Sequence, residues 1–222
     1  MDWTALLLSL ELGALTVLVL LPIGIGCGRM LAVHEFRGRS FVEAALALPL
    51  VLPPTVLGTY LLLAFSANAP LGQAWQTLFG HPLAFSFSGL LFASVIANLP
   101  FAIQPMQRGF AAIPRDIREA GACAGLSPLR VLWRIELPLA WPGIVTGLVL
   151  TFAHTLGEFG VVLMVGGSIP GETRTVAIAI YDRMQAFDTA AAGAMSALLL
   201  ALSLAALGLT FMISARVGRR HG

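Results

Sequence analysis

Two ionisable residues, His154 and Glu158, stand four positions apart in an otherwise apolar stretch of the sequence. On a helix this spacing places both side chains on one face, where an imidazole and a carboxylate can pair. The spacing differs from the His-Glu-x-x-His pattern of zinc proteases, and no second histidine completes a metal site. We therefore predict no metal ligand here and no catalytic residue in the chain.

Other reactive residue types also lack the patterns of catalysis. Cys27 lies in an apolar stretch and Cys123 in an arginine-flanked one, so we expect two inert packing residues and no disulfide. The chain contains no lysine and therefore no Gly-x-x-x-x-Gly-Lys-Ser/Thr phosphate-binding loop. The arginines are spread over several segments without interleaved aromatic residues, which argues against nucleic acid as a partner.

The composition indicates lipid as the solvent of this chain. Of its 222 residues, 58% are hydrophobic and only 11% are charged, and the mean hydropathy is +0.88. A helix needs about 20 largely apolar residues to cross a bilayer. The five stretches of suitable length cover about residues 12–28, 44–67, 85–107, 139–165 and 189–215. We predict an all-α membrane protein with five spans that form one domain over residues 1–222.

Arginine positions predict the orientation of these spans. Positive charge is retained on the cytoplasmic side of a membrane, and most arginines follow the first, third or fifth stretch. They are Arg29, Arg37, Arg39, Arg108, Arg115, Arg118, Arg130, Arg134, Arg216, Arg219 and Arg220. Only Arg174 and Arg183 fall on the other side. The amino terminus is thus predicted outside, with the carboxyl terminus and the connection 108–137 inside.

Two connections are long enough to carry function. The outer one, about residues 166–188, predicts a short surface helix from Thr175 that could meet a partner outside the membrane. The inner one, residues 108–137, predicts two short helices joined at Gly125 and Leu126, the second beginning at Ser127 and Pro128. We expect every other connection to be short.

Prolines and polar residues within the spans mark candidates for a translocation pathway. Pro49, Pro53 and Pro54 should kink or break the second span, and broken helices are tolerated where they line a cavity. The pathway and gate candidates are Pro53, Pro54, Thr55, Asn98, Thr151, His154 and Glu158, with Thr59, Gln104 and Thr155 as further polar groups. The alternative is that the kink shapes packing and the polar groups bond neighbouring helices.

Glu158 has four competing interpretations. Because Gly157 and Gly160 flank it, its carboxylate could organise a helix break or an outer gate. It could equally pair with His154 or cap a helix terminus.

The inner connection carries a spaced motif. Glu119-Ala120-Gly121 is followed after three residues by Gly125, and after nine more by Ile135-Glu136-Leu137-Pro138. This pattern resembles the EAA loop of ABC importer permeases, with Gly121 in place of the second alanine. Small residues would let a short helix dock closely in a partner's cleft, and Gly125 would permit the turn that follows.

The resemblance implies a type I ABC importer permease fold and a separate cytoplasmic ATP-binding subunit that this loop contacts. ATP and Mg²⁺ would then be bound by that subunit, and this chain would bind no cofactor. The working unit implied is a homodimer in a bacterial inner membrane, served by an external binding protein.

Three further stretches are similar to molybdate importer permeases: 48–54, 155–160 and 169–175. They imply molybdate as cargo, with tungstate left open. Sulfate, thiosulfate or another oxyanion is the nearer alternative, and an ion-coupled secondary transporter is the more distant one. No arginine or lysine lies inside a predicted span, so we expect a wet and weakly binding pathway.

Overall fold

The computed structural model describes residues 2–218, apart from the side chains of residues 122, 209–211 and 213–218. Arg219 and Arg220 therefore lie outside the described residues, and so does the side chain of Arg216. Every regular element within the described range is helical. The helices are α1 (Trp3–Val33), α2 (Arg39–Val51), α3 (Pro54–Phe65), α4 (Pro70–Phe79), α5 (Phe87–Ala111), α6 (Arg115–Cys123), α7 (Pro128–Val131), α8 (Leu137–Gly157), α9 (Gly160–Gly166), α10 (Val176–Gln185) and α11 (Thr189–Gly218), with a π-helical turn (Leu132–Glu136) between α7 and α8.

Helices α1, α5 and α8 form the centre of the bundle. Glycines allow their backbones to approach closely, as is usual between helices in membranes. A Cβ on Gly28 of α1 would lie 2.9 Å from the backbone nitrogen of Gln107 in α5. A Cβ on Gly143 of α8 would lie 2.5 Å from the carbonyl oxygen of Pro105 in α5. The centre of the fold is thus held by backbone contact as well as by side chains.

The predicted number of five spans agrees with the helices observed. Among the described residues, four helices are long and apolar enough to cross a membrane, and a fifth span results if α2 and α3 are counted together. These two helices meet at an angle of 108°. The break follows Leu52, whose backbone is extended, and Pro53 and Pro54 cannot donate the backbone bonds that would continue α2. The predicted break is therefore confirmed, although Pro49 lies within α2 without ending it.

The fourth span differs from its predicted limits of 139–165. Helix α8 ends at Gly157, and Glu158 and Phe159 separate it from the short helix α9. At its other end α7 runs through the π-helical turn into α8, giving a helix of 30 residues from Pro128. The second short helix of the inner connection begins at Pro128 after Ser127, as predicted, but it continues into the fourth span instead of ending before it. In the π-helical turn, Leu137 N–H donates to Leu132 O, and the helix continues through Pro138 into α8.

Helix α4 was missed by the sequence analysis, which expected a short connection between the second and third spans. Pro70 occupies its first turn, and Gly80 ends it with φ of +76°. Proline at the start and glycine after the end are sequence signals of a helix and would have identified it. Helix α10, by contrast, begins directly after Thr175, as predicted.

The two ends of the bundle differ in charge. Arg29 of α1, Arg108 of α5 and Arg118 of α6 lie at one end, which we call the arginine-rich end. At the opposite end, Arg174 lies 3.3 Å from Asp182 and 3.8 Å from Asp2. This arginine is therefore balanced by two carboxylates.

Candidate functional site

The two helix breaks lie side by side. A Cβ on Gly160, the first residue of α9, would lie 2.7 Å from Cβ of Pro54, the first residue of α3. Gly58 of α3 likewise packs against Met164 and Val161 of α9, at 2.7 and 3.2 Å from its virtual Cβ. We call this region, around Pro53, Pro54 and residues 157–160, the double-break site. Interruptions that are far apart in sequence thus meet in one place.

Asn98 of α5 organises the polar groups next to the double-break site. It is fully buried, and its Nδ2 donates to the carbonyl oxygen of Ser94 at 2.8 Å and to Oγ1 of Thr155 at 3.1 Å. The Thr155 hydroxyl donates in turn to the carbonyl oxygen of Thr151 at 2.8 Å. Asn98 Oδ1 then faces Nδ1 of His154 at 3.1 Å, so the imidazole must be the donor of that bond.

His154 connects this network to Glu158. Its ring stacks on Phe101 with centroids 4.1 Å apart, and Nε2 lies 3.6 Å from Glu158 Oε2. The other carboxylate oxygen, Oε1, accepts the backbone N–H of Val161 at 2.9 Å. Two of the competing interpretations of Glu158, the helix terminus and the helix break, occur together, and His154 lies beside the same carboxylate. A role as a gate stays a prediction.

The predicted pathway candidates divide into two groups. Asn98, Thr151 and Glu158 are buried and His154 is half-buried, whereas Pro53, Pro54 and Thr55 are exposed on the surface of the single chain. Some polar candidates only bond within their own helix, as Thr59 does by donating to Thr55 O at 2.7 Å. Gln104 lies elsewhere, on a cavity of about 390 Å³ at the arginine-rich end.

The inner connection folds back on the bundle. Gly125, between α6 and α7, has φ of +77° and nothing near the position of a Cβ, so its role is conformational, as expected for a turn. Gly121 was expected to face a partner, but it is buried against its own chain. A Cβ there would lie 2.8 Å from Ile135 Cδ1. The smaller residue thus lets α6 lie close to the π-helical turn.

The other motif residues fall on two sides of this hairpin. Three of these residues are exposed: Glu119, Ala120 and Pro138. Glu119 and Ala120 belong to α6, so one side of this helix is free for a partner. Ile135 and Leu137 are half-buried, and Leu137 packs against the core cluster of α5 and α8 that includes Phe110 and Ile144.

Glu136 stands within the motif, yet the sequence alone indicated no role for it. It is fully buried and forms ion pairs with Arg29 and with Arg118, the latter at 2.8 Å. Arg118 also donates to the carbonyl oxygens of Phe110 and Ile113, at the end of α5. The only signal in the sequence was a carboxylate at an otherwise apolar position of a helix, with no indication of which arginines would reach it.

Comparisons with known proteins agree with this arrangement. Residues 21–219 match the family described as binding-protein-dependent transport system inner membrane component. The chain is 46% identical over 191 residues to the molybdenum transport system permease protein ModB of Azotobacter vinelandii, covering 86% of this chain and 84% of that protein. It is 37% identical over 184 residues to ModB of Escherichia coli strain K12, covering 83% and 80%.

A solved structure shares the fold. A chain of the bacterial alginate ABC transporter in complex with alginate pentasaccharide-bound periplasmic protein has a TM-score of 0.75 over 96% of this chain and 78% of its own length. Its 17% identity supports the architecture alone. The predicted fold of an ABC importer permease and the predicted multi-pass location in the inner membrane are confirmed. The chain belongs to the family of binding-protein-dependent transport system inner membrane components.

Proposed function

We propose that this chain is the permease subunit of an ATP-driven importer that moves molybdate from an external binding protein to the cytoplasm. The observation that carries the proposal is the 46% identity to a molybdenum transport system permease over 86% of this chain and 84% of the relative. The family match over residues 21–219 includes both helix breaks and the inner connection.

The arginine-rich end is proposed to face the cytoplasm, with the amino terminus outside, because retained positive charge marks that side. There the exposed face of α6, with Glu119 and Ala120, would contact a separate ATP-binding subunit that holds ATP and Mg²⁺. The domain then remains a single unit over residues 1–222, with 108–137 as its coupling segment. The chain itself hydrolyses nothing in this proposal.

The pathway is proposed to run beside the double-break site, between two copies of the chain. Large apolar side chains of α2 and α3 are strongly exposed in the single chain: Phe41 78%, Val51 79% and Tyr60 66%. A second copy would cover part of this surface and bring two double-break sites together. Pro53, Pro54 and Thr55, exposed in one chain, would then border the pathway.

The polar groups at this site suit passage better than retention. Asn98 and Thr155 are already hydrogen-bonded within the chain, and Glu158 accepts a backbone N–H. None of the residues that define the double-break site, Pro53, Pro54 and residues 157–160, is an arginine that could hold a dianion. A dianion would therefore meet water and polar groups that are already hydrogen-bonded within the chain. It would leave readily because no strong site retains it. Selectivity would reside mainly in the external binding protein.

The test is ATP-dependent molybdate uptake into vesicles that contain the complete complex, with sulfate as competitor. Gly125→Asp is compared with Gly80→Asp, because both glycines have positive φ, +77° and +76°, and open space at the Cβ position. We expect the wild-type complex to take up molybdate without competition from sulfate. The Gly125 variant should assemble but lose uptake, and the Gly80 control should take up molybdate normally.

Each part of the proposal can fail separately in this experiment. Competition by sulfate as strong as by molybdate would reject the substrate and leave the importer. Equal uptake by the Gly125 and Gly80 variants would reject the coupling role of the α6 segment.

A further inference from the structure

Three charged side chains from three different elements meet inside the arginine-rich end. Glu136 is 0% exposed, and the side chains of Arg29 and Arg118 are 26% and 16% exposed. The carboxylate uses both of its oxygens, Oε2 towards Arg29 and Oε1 towards Arg118. This buried cluster is distinct from the double-break site and from the exposed motif residues.

The cluster joins the coupling segment to the transmembrane helices. Arg29 belongs to the last turns of α1, Arg118 to the middle of α6, and Glu136 to the π-helical turn that leads into α8. Arg118 additionally donates to the carbonyl oxygens of Phe110, near the end of α5, and of Ile113, just beyond it. One side chain of α6 is therefore tied to α5 and, through Glu136, to α1 and α8.

Burial makes this connection stiff. A carboxylate removed from water needs its cationic partners, and separating it from one of them leaves an uncompensated charge. A movement of α6 away from the bundle would break the Arg118 pair while Glu136 stayed buried. By contrast, a Cβ placed on Gly125 would meet nothing within 4 Å, so this point of the turn offers little resistance to bending. The ion pairs of Glu136, rather than the turn, are therefore the stiff connection between α6 and the helix ends.

We propose that Glu136, with Arg29 and Arg118, is a charge clamp that transmits movement of α6 to the inner ends of α1, α5 and α8. The three residues are positioning residues, because they touch neither cargo nor nucleotide in this arrangement. This inference rests on the proposed function, since it assigns to α6 the contact with an ATP-driven subunit. Loss of the clamp would leave ATP hydrolysis running without matching transport.

The experiment measures cargo imported per ATP hydrolysed by the complete reconstituted importer. Glu136→Gln keeps the shape of the side chain and removes its charge, and Arg39→Gln removes one partner of a surface pair, Arg39–Glu43 at 3.1 Å, whose side chains are 34% and 36% exposed. We expect the ratio to fall by about tenfold or more in the Glu136 variant. The Arg39 variant should match the wild type, because exposed pairs contribute little.

Glu136→Asp and Arg118→Lys keep the charges but alter their reach, which guards against a variant that does not assemble. If Glu136→Gln fails to assemble, a lowered ratio in these two variants supports the clamp. A wild-type ratio in every assembled variant overturns it, as does a loss of ATP hydrolysis in proportion to uptake.

The wild-type complex separates this result from the proposed function. If it imports sulfate and not molybdate, the molybdate assignment fails, and the clamp is judged from the same ratio measured with sulfate. If it imports nothing while hydrolysing ATP, both the importer and the clamp are rejected.

Discussion

Replacing Asn98 by leucine should destabilise the bundle through the loss of bonds between α5 and α8. Leucine has a similar volume but can neither donate to Thr155 Oγ1 nor accept from His154 Nδ1, contacts of 3.1 Å each. Hydrogen bonds between membrane helices contribute about 0.6 kcal/mol on average and up to about 1.7. Two such bonds amount to roughly 1–3 kcal/mol, which we expect as the loss in the free energy of unfolding.

A double-mutant cycle isolates one of these bonds. Asn98→Leu, Thr155→Val and the double variant are unfolded at equilibrium in mixed micelles, with Thr59→Val as control. The Thr59 hydroxyl donates within its own helix, to Thr55 O at 2.7 Å, so this control should change stability by less than about 0.5 kcal/mol. We expect an Asn98–Thr155 coupling energy of about 0.6–1.7 kcal/mol.

Additivity of the two single variants within about 0.3 kcal/mol would refute this reasoning. The hydrogen bonds of the Asn98 amide in the folded chain would then contribute no more free energy than those it makes in the unfolded chain within the micelle.

Two further predictions concern close packing and the connection after α9. Gly143→Ala should lower stability by about 2–3 kcal/mol in the same unfolding assay, because its Cβ would lie 2.5 Å from Pro105 O and backbone cannot yield easily. Gly193→Ala, with open space, should cost nothing, and equal losses would contradict the argument. Thr173→Val should speed amide hydrogen exchange in residues 166–173. The buried Thr173 hydroxyl donates to one backbone carbonyl and accepts one backbone N–H there, and valine would remove both bonds. Unchanged exchange rates would disprove this role of the hydroxyl.

The number of spans and the membrane location were predictable because they depend on local composition. Long apolar stretches must be helical in lipid, where every backbone polar group needs an internal partner. The break before Pro53 and the turn at Gly125 were predictable for a related reason. Proline lacks a donor and glycine tolerates positive φ wherever they occur.

Other features were decided by distant contacts. The continuity of α7 with α8 depended on a π-helical turn, which forms when neighbouring packing supports a poorer hydrogen-bond geometry. The burial of Gly121 depended on where Ile135 lies. Missing α4 was a different kind of error, because its terminal proline and glycine were visible in the sequence.

Composition and residue spacing were enough to predict the lipid solvent, the helical class, the family motif and the helix break at Pro53. Which polar groups meet depends on how distant helices pack: Asn98 meets His154 and Thr155, and Glu136 meets Arg29 and Arg118. Arg29 and Glu136 are 107 positions apart, and the chain has thirteen arginines that could have been partners. Their pairing follows from the packing of α1, α5 and α8, because a buried charge takes the partner that packing brings within reach.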